Sequence, residues 1–148
     1  MTYAPIIGVL GYPLHPDGER VLMVHRSRAD DQQRGKYNGL GGKLEPDEDV
    51  IGCLNRELME EAGITVTAAR LRGTISWPGF GAGGEDWFGF VFVVDAFTGD
   101  PPERNDTARW SGCRSSACWA PVNRCRCGPV TGTSCRWCST AIRDCSTA

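Results

Sequence analysis

Three carboxylates, Glu57, Glu60 and Glu61, stand at i, i+3 and i+4. On a helix this spacing places them on one face. Like charges so placed repel, so the triplet is either a solvated acidic surface or a site that holds a cation. Hard divalent ions such as Mg²⁺ prefer carboxylate oxygens, keep several waters and complete their shell with substrate phosphates. A metal held in this way polarises a phosphoryl oxygen and supplies a bound water as nucleophile. The triplet does not stand alone. Five residues separate Gly42 from Glu48, and seven separate Glu48 from Arg56, which adjoins Glu57. Gly63 follows Glu61 with one residue between.

The elements that position these groups are legible around them. Pro46 to Asp49 reads as the start of a helix, with Pro tolerated in the first turn and acids favoured at the positive dipole end. Gly63 reads as its stop. Ile51, Leu54 and Leu58 fall at i, i+3 and i+7 and form one apolar stripe. Upstream, Tyr37-Asn38-Gly39-Leu40-Gly41-Gly42-Lys43 is a glycine-rich lead-in whose backbone reaches conformations that other residues resist. Ile6 to Leu10 and Arg20 to Arg26 read as strands, with turn chemistry at Tyr12-Pro13 and Pro16-Asp17-Gly18. Arg28 to Lys36 reads as a polar loop. Ile64 to Ile75 reads as a strand or hairpin arm. Trp77 to Asp86 is a glycine-rich turn that lacks the Gly-Lys-Ser/Thr end of a P-loop. Trp87 to Phe97, WFGFVFVVDAF, reads as a central buried strand. His15 and His25 read as structural rather than catalytic, and Cys53 as a small buried residue. This order of elements is mixed α/β.

The stretch from Gly42 to Ile64, GKLEPDEDVIGCLNRELMEEAGI, fills every fixed position of the Nudix box. The chain therefore resembles the Nudix hydrolases over roughly residues 4–106. The resemblance implies a Nudix-type α/β/α sandwich with a mixed sheet, and hydrolysis of a nucleoside diphosphate linked to another group. It implies that Glu57, Glu60 and Glu61 hold Mg²⁺, or Mn²⁺, with Glu60 or Glu61 also taking a proton from water. It implies that Gly42 lends backbone to the metal site and that Glu48 and Arg56 pair to brace the loop against the helix. The Asn-Gly-x-Gly-Gly-Lys approach resembles the MutT-like branch that clears oxidised purine triphosphates. There Asn38 and Lys43 are implied substrate-binding residues, with Asn38 at the base. On its own residues, Asn38 reads equally as a turn residue before glycine. The implied reaction converts a nucleoside triphosphate, such as 8-oxo-dGTP, into a monophosphate and pyrophosphate. ADP-ribose, dinucleotide polyphosphates and nucleotide sugars are the alternatives within the same chemistry.

At 148 residues the chain is expected to form one domain. A net charge of -2 offers no basic stripe for duplex nucleic acid. No signal peptide or membrane-length apolar run is evident, which sets the expectation of a cytoplasmic protein with a nucleotide as its partner. The oligomeric state is not legible. Seven of the eight cysteines fall in residues 107–148, among many Arg, Ser and Thr and almost no Leu, Ile or Phe. A zinc module on Cys125, Cys127, Cys135 and Cys138 is one account of this stretch, and a disulfide-stapled tail another. A third is that residues 107–148 are out of frame, poorly ordered and aberrant beside a Nudix domain at 1–106. Codons begun at the third base of each present codon permit an apolar strand, a helix-like segment and a Trp-Pro-Gly-Asp turn. An inactive product of such a break is the alternative from outside enzymology.

Overall fold

The computed structural model describes residues 2–25, 37–101 and 116–121. Its elements are β1 (Ile6–Pro13), β2 (Arg20–His25), β3 (Tyr37–Asn38), α1 (Val50–Ala62), β4 (Thr65–Trp77), β5 (Trp87–Thr98) and β6 (Ser116–Pro121). One three-stranded sheet has the order β1-β5-β4, with β1 parallel and β4 antiparallel to the central β5. A second has the order β3-β2-β6, all antiparallel. The architecture is α/β with a mixed sheet, as the sequence implies.

Period-two alternation divides the core between two faces of the strands. Val9, Leu22, Val24, Phe92 and Val94 join Cys53, Leu54, Leu58 and Ala62 of α1 in one buried cluster. Their neighbours Tyr12, Val21, Met23 and Val91 form a second cluster. Strands β2 and β5 are apolar on successive residues because both faces are covered. Helix α1 rests on β1 at Gly11, where a Cβ would lie 2.9 Å from both Leu54 Cδ1 and Leu58 Cδ1. Burying each of these leucines contributes about 1.5–3 kcal/mol.

Several local expectations change. The helix begins at Val50, and Asp49 is its N-cap, its carboxylate accepting from the Gly52 N–H at 2.7 Å. Pro46 and Asp47 form a turn before it, with Asp47 at φ 69. Gly63 is the C-cap at φ 66, its N–H donating to Met59 O, as its type requires. Ile51 does not belong to the buried stripe and is 50% exposed. The stripe instead follows Leu54, Leu58 and Ala62 at i+4 steps, with Cys53 beside it. Tyr12-Pro13 is not a turn. It is the buried end of β1, in register with Val93 and Val94. Residues Ser116–Pro121, within the stretch set apart by composition, form β6 along β2, with Ala117 buried and Trp119 packed on the core. Residues 107–115 and 122–148, with the zinc and disulfide readings of their cysteines, lie outside the described residues, as does the stretch 28–36 that reads as a polar loop.

Candidate active site

The glycine-rich lead-in runs along the free edge of β1. Leu40 pairs with Gly11 and Lys43 with Gly8, and the Val9 N–H donates to Gly42 O at 2.9 Å. The approach is tight enough to require glycine. Gly41 has φ 147, and a Cβ there would collide with the Val9 carbonyl. At Gly42 a Cβ would fall on the Glu57 carboxylate, 2.6 Å from Cδ and 2.8 Å from Oε2. The absent side chain is the space in which the carboxylate lies.

Arg56 fixes the helix to this loop. Its guanidinium donates to Glu48 Oε1 at 2.7 Å and Glu48 Oε2 at 3.1 Å, to Lys43 O at 3.1 Å, and to Glu57 Oε1 at 2.9 Å. Glu48 also accepts from the Glu45 N–H at 2.8 Å. The Arg56 hydrogen bond, then the Glu45 amide, hold the Glu48 carboxyl down to about 2. Glu48 in turn pushes Arg56 further above its ordinary range. Cys53 sits beneath this group, and burial first, then Glu48, push its thiol up to about 12. A thiol held protonated is no nucleophile.

The three carboxylates of the triplet differ. Glu57 is only 14% exposed in its side chain, and burial pushes its carboxyl up against the opposing pull of Arg56. Glu61 Oε2 accepts from the Gly41 N–H at 2.9 Å. Glu60 is exposed, with Oε2 3.6 Å from Arg56 Nη1. All three lie in the C-terminal half of α1, and the last turn carries no basic residue. Carboxylates at the negative end of a helix dipole are disfavoured, and a cation offsets that cost. Among the described residues no three His, Cys, Asp or Glu side chains are grouped so as to hold a metal ion by themselves. The donor set instead fits a hard, partly hydrated ion that keeps water and phosphate in its shell.

The structure thus brings Gly42, Glu57, Glu61, Glu48 and Arg56 together around one loop-helix junction, with Glu60 on its solvent side. Lys43 contributes its backbone carbonyl, while the residue itself is exposed. Asn38 lies apart, on β3 opposite Val24. His25 stacks on Tyr37 at 4.8 Å, and His15 lies at the β1–β2 turn against Asp17, Arg20 and Trp119. Gly41 was missed as a donor to Glu61. The run of glycines marked a close backbone approach, but nothing in the sequence says which amide faces the helix.

The NUDIX domain family model matches residues 4–130. The chain is 35% identical over 72 residues to an oxidized purine nucleoside triphosphate hydrolase of Danio rerio, covering 49% of this chain and 46% of that one. It is 34% identical over 61 residues to the NAD-capped RNA hydrolase NudC of Pseudomonas syringae, covering 41% of this chain and 21% of that one. The chain spans less than half the length of these two curated relatives. A MutT NUDIX hydrolase structure from Burkholderia pseudomallei superposes with a TM-score of 0.66 at 25% identity, covering 95% of this chain and 97% of that one. With the box residues gathered at one junction and the family match spanning most of its length, this chain belongs to the Nudix hydrolase family.

Proposed function

We propose that this protein is a Mg²⁺-dependent pyrophosphohydrolase that cleaves nucleoside triphosphates, with oxidised purine forms such as 8-oxo-dGTP as preferred substrates. Nudix hydrolases use divalent metal ions and act on nucleotides. The observation that carries the reading is the Glu57 carboxylate lodged over Gly42, on the same helix as Glu60 and Glu61. Glu57, Glu60 and Glu61 would hold the metal. When bound, the ion neutralises phosphate charge and activates water. The chain's own residues do the positioning. Arg56 holds Glu57 and, through Lys43 O and Glu48, keeps helix and loop in register. Glu60, on the solvent side, or Glu61 would take a proton from an attacking water. Phosphoryl chemistry suits such a site, because it rests mostly on positioning and charge neutralisation. The similarity to the zebrafish enzyme favours the oxidised purine reading. The similarity to NudC keeps dinucleotide substrates in the assay panel. Cytoplasmic location belongs to this reading too. Among the described residues no helix is long and apolar enough to cross a membrane.

The test is a panel of nucleoside triphosphates, oxidised purine triphosphates, ADP-ribose and dinucleotides, assayed with Mg²⁺ and with Mn²⁺. Release of monophosphate and pyrophosphate from the oxidised purine triphosphate at the highest kcat/KM is expected. Glu60→Gln should lower kcat by on the order of 10²-fold or more. Unchanged turnover in that variant would remove Glu60 from the site.

A further inference from the structure

The site ends on an aromatic shelf that the Nudix box does not include. Trp77 and Trp87 are cross-strand neighbours on β4 and β5. Phe80, on the loop between them, lies 5.9 Å from the Trp77 ring and 6.0 Å edge-on from the Trp87 ring. The floor under the indoles is glycine. A Cβ on Gly89 would lie 2.6 Å from Trp77 Cζ3, and one on Gly8 would lie 3.2 Å from Trp87 Cζ3. The same point at Gly8 is 2.8 Å from the Gly42 carbonyl oxygen. The shelf therefore lies beside the loop that cradles Glu57.

Two features of the shelf ask for a ligand. Phe80 is 44% exposed, although it is the outermost of three rings in contact. Trp87 Nε1 is shielded from water and finds no acceptor among the described residues. Buried donors are seldom left unpaired. Phe80 rides on a loop with Gly79 at φ 65 and Gly84 at φ 84, both in the left-handed region that glycine reaches freely. One exposed phenyl beside two half-buried indoles offers stacking area for a single heterocycle. It falls far short of the roughly 800 Å² per partner that a protein interface needs.

We propose that this shelf seats the planar base of the nucleotide, with Phe80 stacking on the ring and the Trp87 indole N–H donating to an acceptor on its edge. The proposal rests on the nucleotide reading given above and names the residues that select an aromatic base within it. Every base has a stacking face, so the shelf favours nucleotides over base-free polyphosphates, while the edge acceptor narrows the choice among bases.

The test titrates the full chain, by tryptophan fluorescence with Mg²⁺, with α,β-methylene guanosine triphosphate and with inorganic tripolyphosphate. Phe80→Ala should weaken the nucleotide by about tenfold or more and leave tripolyphosphate unchanged. Trp87→Phe, which keeps the ring and removes the N–H, should weaken the nucleotide about fivefold. Wild-type affinity in both variants, or equal losses for both ligands, would overturn the shelf. Hydrolysis with identical KM values in wild type, Phe80→Ala and Trp87→Phe overturns the shelf and leaves the pyrophosphohydrolase reading standing. Nucleotide binding that is lost in both variants, in a chain that turns over no nucleotide, supports the shelf and overturns that reading instead.

Discussion

Replacing Gly42 by alanine separates the chemistry of the site from the stability of the fold. The new methyl would sit 2.6 Å from Glu57 Cδ, where ordinary contact begins at 3.4 Å. The carboxylate must therefore retreat by roughly 0.8 Å, and it is free to do so because it ends a flexible side chain. Its retreat loosens the 2.9 Å contact with Arg56, an ion pair whose members are partly exposed. Such pairs contribute less than about 1 kcal/mol, so the melting temperature should fall by no more than roughly 2–4 °C. The catalytic loss should be much larger, because misplacement of about 1 Å costs on the order of 10²-fold. The assay is kcat for the preferred nucleotide at saturating Mg²⁺, read beside a thermal melt. Gly18→Ala is the control. It strains a glycine at φ 71 that has nothing within 4 Å, and it should cost about 1 kcal/mol without touching turnover. If Gly42→Ala keeps kcat within about threefold of wild type, the Glu57 cradle is not part of the active site.

Other outcomes follow from the same junction. Arg56→Lys keeps the charge but loses the planar fork shared among Glu48, Glu57 and Lys43 O. It should destabilise by about 1–3 kcal/mol in urea titration and lower kcat, and a silent result would remove the brace. Glu48, held at about 2 against an ordinary 4.5, stabilises the fold fully above the ordinary value and loses that contribution as pH falls toward 2. Wild type should exceed Glu48→Gln in melting temperature at pH 6 and converge with it near pH 2; a gap that does not change with pH would refute the linkage. Saturating Mg²⁺, at a hundred times its Kd, should add about 2.7 kcal/mol by mass action, seen as a higher melting temperature than in chelator. Glu57→Gln should abolish that gain, and equal shifts in both proteins would place the ion elsewhere. We also propose that residues 107–148 are read out of frame. Nucleotide sequence across codons 104–110 should show a missing base, and an intact open frame there would end the proposal.

The chemistry was more legible than the geometry. The helix, its glycine stop and the acidic face follow from spacing and from the conformational freedom of glycine, which are local properties. The central strand was legible because WFGFVFVVDAF is apolar on successive residues and must be covered on both faces. Ile51 was misplaced because i+3 and i+4 stripes share most of their members, and only the docked sheet at Gly11 decides between them. Tyr12-Pro13 was misread because turn propensity is local while burial against β5 is not. β6 carried no signal at all. Ser-Ala-Cys-Trp-Ala-Pro lacks β-branched residues, and the segment is a strand because β2 offers an edge to pair with. The hydrogen bond from Gly41 to Glu61 joins residues twenty apart, and no periodicity encodes it.

The hydrogen atoms of Gly11 act as a gauge block for the whole enzyme. Leu54 and Leu58 press on that one spot of β1, while Gly41 and Gly42 run along the same strand's edge. The distance from helix to loop is thus measured from a common datum. A methyl added at Gly11 would lift the helix and carry the acidic face away from the loop together, without touching a single polar group. On the proposed reading of the site, turnover should be a sensitive readout of packing in the interior. Variants selected for activity alone should keep that interior residue small.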